Sequence, residues 1–218
     1  GKGRMSEPIH IVDFTEDFFK KKTQLQGKKI LITAGPTYES IDPVRFIGNH
    51  SSGKMGFAIA KQCLDQGAEV ILVAGPTNQK LNHHKLELVN VNSANEMLQE
   101  SLKVHNDVDV AVFCAAVADY KPKNVAAQKI KKSTDDLTIE LIKNPDIAKE
   151  LGLNKKANQI HIGFALETNN EEINAKEKLQ NKNFDFIVLN SLNDKGAGFK
   201  NDTNKISIIE ENKIHKFE

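Results

Sequence analysis

Residues 28–35, KKILITAG, the helical run 55–66, MGFAIAKQCLDQ, and residues 69–75, EVILVAG, decide the fold class. The outer two are nearly unbroken aliphatic runs of strand length and the middle one carries helical periodicity, so together they read as a β-α-β unit with parallel strands. The alternation continues outward. A third strand, LELVNV (86–91), precedes Ser93-Ala94-Asn95-Glu96, a capping box that predicts a helix carrying Met97, Leu98 and Leu102. A fourth strand is expected over 108–116, VDVAVFCAA, and Asn144-Pro145 supplies an N-cap and a first-turn proline for another helix. Strands over 159–167 and 184–191 flank a helix over 171–182, and KISIIEENKIHKF (205–217) reads as an antiparallel hairpin. Apolar strands buried on both faces and linked by helices predict an α/β fold: a doubly wound, mostly parallel Rossmann-like sheet ending in that hairpin. Residues 1–27 precede any strong periodicity and read as a linker; there are no internal repeats.

Composition narrows the function. The 218 residues are 39% hydrophobic and 27% charged, an ordinary globular balance that buries roughly 70% of the unfolded chain's surface. Thirty basic residues against 29 acidic leave +1, so no overall field argues for a nucleic-acid or membrane partner, and an anion has to be bound by local clustering. Cys63 and Cys114 form no C-x-x-C pair, which argues against a zinc or redox site and suits a reducing compartment. The longest apolar run, Val110 to Ala118, is far short of a membrane span, and no apolar segment of a secretory signal follows the N-terminus, so the expected location is cytoplasmic.

The connection from Gly35 to Ser52, GPTYESIDPVRFIGNHSS, is much longer than a usual βα loop. It leaves the carboxyl end of the first strand and runs into a helix N-terminus, where open α/β sheets bind ligands and backbone amides attract anions. Gly48 to Lys54 matches G-x-x-x-x-G-K, but Met55 stands where a P-loop needs a magnesium-binding hydroxyl, and the match begins well after the strand. No G-x-G-x-x-G is present, and strand two ends in Ala74-Gly75-Pro76 rather than in an acid for a ribose. Neither Tyr38 nor Tyr120 is followed by the lysine of a short-chain dehydrogenase. After strand four, AAVADYKPKNVAAQKIKK (115–132) sets Lys121, Lys123, Lys129, Lys131 and Lys132 with no acid between them, a stretch suited to a polyphosphate or, more plainly, a solvated lysine-rich loop. Asp119, just before the first of these lysines, suits an exocyclic amine or Mg²⁺. Of the seven histidines only His50 lies in this candidate site.

GPTYESIDPVRFIGNHSSGKMG (35–56), CAAVADY (114–120), KIKK (129–132), KNPDIA (143–148), GFALETNN (163–170) and NDKGAGF (193–199), in that order, resemble the phosphopantothenoylcysteine synthetase family over about residues 28–210. The resemblance implies a ligase of coenzyme A biosynthesis that joins 4′-phosphopantothenate to L-cysteine, with CTP and Mg²⁺, through an acyl-cytidylate. It is to the bacterial form, in which this domain follows a decarboxylase that carries FMN; residues 1–27 are then expected to be the tether from that domain and 28–218 the synthetase, working as a homodimer. Carried over residue by residue, the resemblance implies Asn49 as the side chain holding the acyl-cytidylate, Arg45 as a substrate contact and Lys129 as a triphosphate lysine. It places the nucleotide on Phe113, Cys114, Ala115, Ala116, Asp119, Pro145, Asp146, Ile147, Ala148 and Phe164, with Lys178 and Lys182 on one helical face. Asp119 is the implied metal ligand. Glu39-Ser40 departs from the family's usual Glu-Pro. The alternative is a Rossmann-like oxidoreductase or a non-catalytic domain.

Overall fold

The computed structural model describes residues 7–21, 23–131, 136–167, 169–191 and 206–217. Helix α1 (Pro8–Lys21) precedes strand β1 (Lys29–Ala34), after which the long connection folds into two short strands, β2 (Tyr38–Ser40) and β3 (Phe46–Gly48). Helix α2 (Lys54–Asp65), β4 (Glu69–Ala74), β5 (Leu86–Asn90), α3 (Ala94–His105) and β6 (Val110–Phe113) follow. Next come β7 (Tyr120–Pro122), β8 (Leu141–Lys143), α4 (Ile147–Leu153), β9 (Ile160–Glu167), α5 (Glu171–Asn181) and β10 (Phe186–Ser191), and the chain closes with β11 (Ile206–Ile209) and β12 (Ile214–Phe217).

The main sheet has the order β12-β11-β10-β9-β6-β1-β4-β5. β1 pairs in parallel with β4, Lys29 opposite Glu69 through Ala34 opposite Ala74, and with β6, Ile30 opposite Val110 through Thr33 opposite Phe113. β5, β9 and β10 extend the parallel set, while β11 and β12 add antiparallel at one edge. Counted in chain order, the parallel strands run 3-2-1-4-5-6, the doubly wound order, with the reversal between β1 and β6. Crevices at such a reversal take ligands because the two halves of the sheet send their loops apart there.

Alternation along β1 feeds two cores. Ile30, Ile32 and Ala34 pack with Phe57, Ala60 and Leu64 of α2, whereas Leu31 joins Met97 of α3, Leu151 of α4 and Leu179 of α5 on the other face. Gly56 lets α2 sit directly on β1, since a Cβ there would come within 2.5 Å of the Ala34 methyl. Ser93 caps α3 by accepting the Glu96 amide, as the capping box predicts.

Several expectations are corrected. Residues 8–21 of the expected linker form a helix. The long loop is partly a hairpin, Tyr38 opposite Gly48, whose Tyr38 and Phe46 rings stack with centroids 3.9 Å apart. A second small pair, β7 with β8, follows β6. The N-cap of α4 is Asp146, whose carboxylate accepts the Lys149 amide at 3.1 Å; Asn144 instead donates its side chain to the Ala118 carbonyl at 2.8 Å and Pro145 precedes the helix. Strand four is the shorter Val110–Phe113, because beyond it the chain turns into the crevice. The terminal hairpin is present, Ile206 opposite Phe217. NDKGAGF and Lys132 lie outside the described residues. Among those described, no helix is long and apolar enough to cross a membrane.

Candidate functional site

The carboxyl ends of β1 and β6 open into a cavity of about 1410 Å³. The first loop is threaded over them by close backbone contacts. Gly35 turns at φ 75°, and Gly75 has no side chain to obstruct the Pro36 carbonyl that lies against it. Pro36 bridges to Ala116, and the Thr37 hydroxyl accepts the Ala118 amide at 3.0 Å. Buried Glu39 accepts the Ala94 amide at the start of α3, which anchors the loop from the far side.

At the end of this loop the Asn49 side chain donates to the Val117 carbonyl at 3.0 Å. Asn49, His50, Ser51, Ser52 and Gly53 line the cavity together with Lys54. Helix α2 begins at Gly53, in the left-handed region at φ 75°, with no side-chain cap hydrogen bond, unlike α3 and α4. Its amide-rich end therefore faces the cavity with the positive pole of a 12-residue helix, a setting for an anion. The Thr77 hydroxyl donates to the Ser52 carbonyl at 2.6 Å and fixes that approach.

The opposite wall comes from other segments. Phe113, Cys114, Ala115, Ala116 and Asp119 follow β6; Pro145, Asp146, Ile147 and Ala148 form the entry to α4; Phe164 belongs to β9; Lys178 and Lys182 come from α5 and its end. These residues, singled out in four separated stretches of sequence, line one cavity. Phe113, Phe164 and Pro145 make part of it apolar, while Lys178 and Lys182 bring cations to the same space. Lys182 Nζ lies 3.0 Å from Asp146 Oδ2, so one cation is held by the carboxylate that caps α4. Burial pushes the Cys114 thiol up to about 12, leaving it a neutral wall atom rather than a nucleophile.

Arg45 and Lys129 are not among the lining residues. Arg45 turns to Asp42 and to the carbonyl of Ile130, and Lys129, next to Ile130, is exposed. Among the wall residues not singled out in the sequence for this role are Asn144, whose dipeptide with proline read as a cap, and Asn190 at the end of β10. Among the described residues no group of three or more His, Cys, Asp or Glu side chains is placed to hold a metal ion. Asp119 on one wall matches the sparser Mg²⁺ pattern, in which one carboxylate works with the phosphates of a bound nucleotide.

Comparison with known proteins agrees with this architecture. A bacterial coenzyme A biosynthesis bifunctional protein CoaBC from Haemophilus influenzae is 49% identical over 212 residues, covering 97% of this chain and 52% of the relative. A protein named cysteine/cysteine sulfinic acid decarboxylase, from an unknown prokaryote, is 48% identical over 223 residues, covering all of this chain and 62% of its own length. The chain thus spans about half to three fifths of the curated relatives it matches. The crystal structure of the C-terminal domain of a coenzyme A biosynthesis bifunctional protein CoaBC superposes with a TM-score of 0.74 at 44% identity, covering 89% of this chain and 87% of that one. Residues 25–218 match the DNA/pantothenate metabolism flavoprotein C-terminal domain, and the chain belongs to that family.

Proposed function

We propose that this chain is a phosphopantothenoylcysteine synthetase that uses CTP. The observation that carries the reading is the convergence of Asn49, the β6 end, the α4 entry and Lys178 and Lys182 on one cavity at the sheet's reversal. Its size suits a nucleotide and an extended acyl chain together, being larger than the usual range for one small ligand, roughly 300–1,000 Å³.

In the first step a carboxylate oxygen of 4′-phosphopantothenate attacks the α-phosphorus of CTP, the bond to the bridging oxygen of the β-phosphate breaks, and pyrophosphate leaves. In the second, the amine of L-cysteine attacks the acyl carbon, the acyl-oxygen bond to the phosphate breaks, CMP leaves and the amine's proton passes to solvent. Neither step needs a strong base in the protein; both need alignment and neutralisation of phosphate charge. Lys178, Lys182 and the N-terminus of α2 supply that neutralisation. Phe113, Phe164 and Pro145 offer an apolar slot for the base, and Asn49, which lines the same space, would turn its amide from the Val117 carbonyl to the acyl oxygen as negative charge grows there. Asp119 is the residue that would share Mg²⁺ with the phosphates; the ion supplies further charge neutralisation when bound.

Lys129 completes the cation set in a homodimer, where the second copy carries it to the cavity. Support comes from the two small hairpins, which pack β2 against β7 and expose Val44, Phe46, Tyr120 and Leu141. Incubation with CTP, Mg²⁺, 4′-phosphopantothenate and L-cysteine should form CMP, pyrophosphate and phosphopantothenoylcysteine, resolved by mass spectrometry. Thermal stabilisation by NAD(P)H but not by CTP with Mg²⁺, and no product, would select the oxidoreductase alternative instead.

A further inference from the structure

Asp42, in the first loop between β2 and β3, faces away from solvent and is saturated with donors. Its Oδ1 accepts the amides of Val44 and Arg45, each at 2.8 Å. Its Oδ2 accepts Arg45 Nε at 3.0 Å and the amide of Ile130 at 3.1 Å, with Arg45 Nη2 2.8 Å away. Arg45 Nη2 also donates to the carbonyl of Ile130 at 2.6 Å. Both backbone groups of Ile130 are therefore taken by side chains, one anionic and one cationic, in place of the rung that a neighbouring strand would supply. Four residues earlier the Ala126 amide donates to the Ile41 carbonyl at 2.9 Å. The stretch 126–130 has neither helix nor strand, so ties of this kind decide its course.

Burial alone would raise the Asp42 pKa, but the amides of Val44, Ile130 and Arg45 and the Arg45 guanidinium outweigh it and hold the group at about 2. The carboxylate is thus charged at every working pH and its hydrogen bonds stay charge-assisted. A buried carboxylate is a costly way to pack a loop, since a neutral residue of the same shape would avoid its desolvation. What it adds is a fixed grip on a segment 88 residues away in the chain.

We propose that Asp42 is a positioning residue for Lys129: with Arg45 it clamps the backbone of Ile130 and so fixes the origin of the adjacent lysine side chain. The inference rests on Lys129 being the triphosphate cation of the proposed function. A misplacement of order 1 Å at such a group costs about 10²-fold in rate. The Arg45 guanidinium is part of the same clamp, since it is occupied by Asp42 and Ile130.

The test is a double-mutant cycle read by single-turnover pyrophosphate release from CTP. Asp42→Asn should slow release about 10²-fold in the native background, by misplacing the lysine. In a Lys129→Gln background, where no lysine remains to misplace, it should cost no more than about threefold, the mark of two residues acting as one unit. A full loss in both backgrounds would make Asp42 a loop-packing residue only and overturn the proposal. Hydrogen exchange supplies a readout independent of activity. Peptides over 124–131 should exchange faster in Asp42→Asn while those over β1 and β4 stay unchanged, and unaltered exchange at 124–131 would equally overturn it. If Asp42→Asn fails to fold, Arg45→Lys, which loses the forked grip on Ile130, replaces it in both arms. Wild-type protein that releases no pyrophosphate from CTP would sink the proposed function, and the exchange arm would still judge the clamp.

Discussion

The side-chain amide of Asn49 donates to the carbonyl of Val117 at 3.0 Å and reaches that of Ala116 at 3.4 Å, joining the end of the first loop to the segment that leaves β6. Asn49 thereby adds a side-chain tie at the cavity to the Pro36–Ala116 and Thr37–Ala118 contacts that join the two loops parting at the sheet's reversal. Replacing its donor by an anion puts like partial charges face to face.

Asn49→Asp is expected to spare attack on CTP while stalling attack by cysteine, because the carboxylate cannot donate to the acyl oxygen and repels the charge developing there. The acyl-cytidylate should accumulate and be visible by mass spectrometry. Normal product formation with no trapped intermediate would remove Asn49 from that role.

Lys182 is paired with Asp146, so it can exchange one anion for another when phosphates enter. Lys182→Gln should raise KM for CTP roughly tenfold or more, the scale of a hydrogen bond to a charged group. Asp146→Ala removes the cap of α4 and should lower unfolding stability by about 1 kcal/mol. A urea titration that leaves the midpoint of Asp146→Ala unmoved would contradict the cap.

CTP should be preferred over ATP. Asp119, Ala115 and Pro145 line the cavity beside Phe113 and Phe164, and Asp119 with backbone groups near Ala115 and Pro145 would read the amino and keto edge of a single ring. Equal kcat/KM for the two nucleotides would sink the placement of the base.

Behind Phe113 lies a buried pair whose Nε2 atoms are 3.0 Å apart, His105 and His161. One ring donates to the other, which requires the accepting Nε2 to carry no proton. Burial lowers the His105 pKa, helped by Lys156; burial also brings His161 to about 4, with His105 and Lys155 adding to the effect and Asp185 opposing it. An unfolded histidine takes its proton near 6.5, so between 6.5 and 4 the unfolded chain binds more protons than the folded one. Stability from this pair is fully present above that window and falls as the pH drops through it. Urea midpoints measured from pH 7.5 to 4.5 should decline for the native chain and decline less for His105→Gln/His161→Gln; parallel slopes would show that other groups carry the acid limb.

Mixing Asn49→Asp protein with Lys129→Gln protein after partial unfolding and refolding should restore part of the activity, because a mixed dimer holds one cavity with both native residues. Sedimentation at twice the chain mass should accompany it. A monomer with full activity would overturn the shared site.

β1, α2 and β4 were legible because each is locally consistent: apolar runs of strand length around a segment with helical period need no distant partner to be recognised. The capping box at Ser93 is likewise local, its donor and acceptor three residues apart. β2, β3, β7 and β8 have three residues each, too few to show a period, and they exist through pairing with one another. The cap of α4 lay between two adjacent candidates. Asp146 takes it because the Asn144 side chain is drawn to Ala118, a residue 26 positions earlier, and no local rule carries that information.

The cavity residues divide in the same way. Resemblance to the family, carried by motifs in their order along the chain, was enough to nominate Asn49, the β6 end, Asp146, Phe164, Lys178 and Lys182. That they share one space depends on strand order, which brings β1, β6 and β9 side by side although they are far apart in the chain. Asp42 marks the limit most sharply. In the sequence it is one acid in a polar loop beside Arg45; its ionised, buried state comes from amides supplied by both its own turn and Ile130. Composition and periodicity determined the parallel α/β scaffold because burial and backbone pairing act on every residue of a strand or helix. Which carboxylate grips which loop was decided only by the tertiary structure, because a hydrogen bond needs its two partners within about 3 Å, and only the folded chain sets that distance.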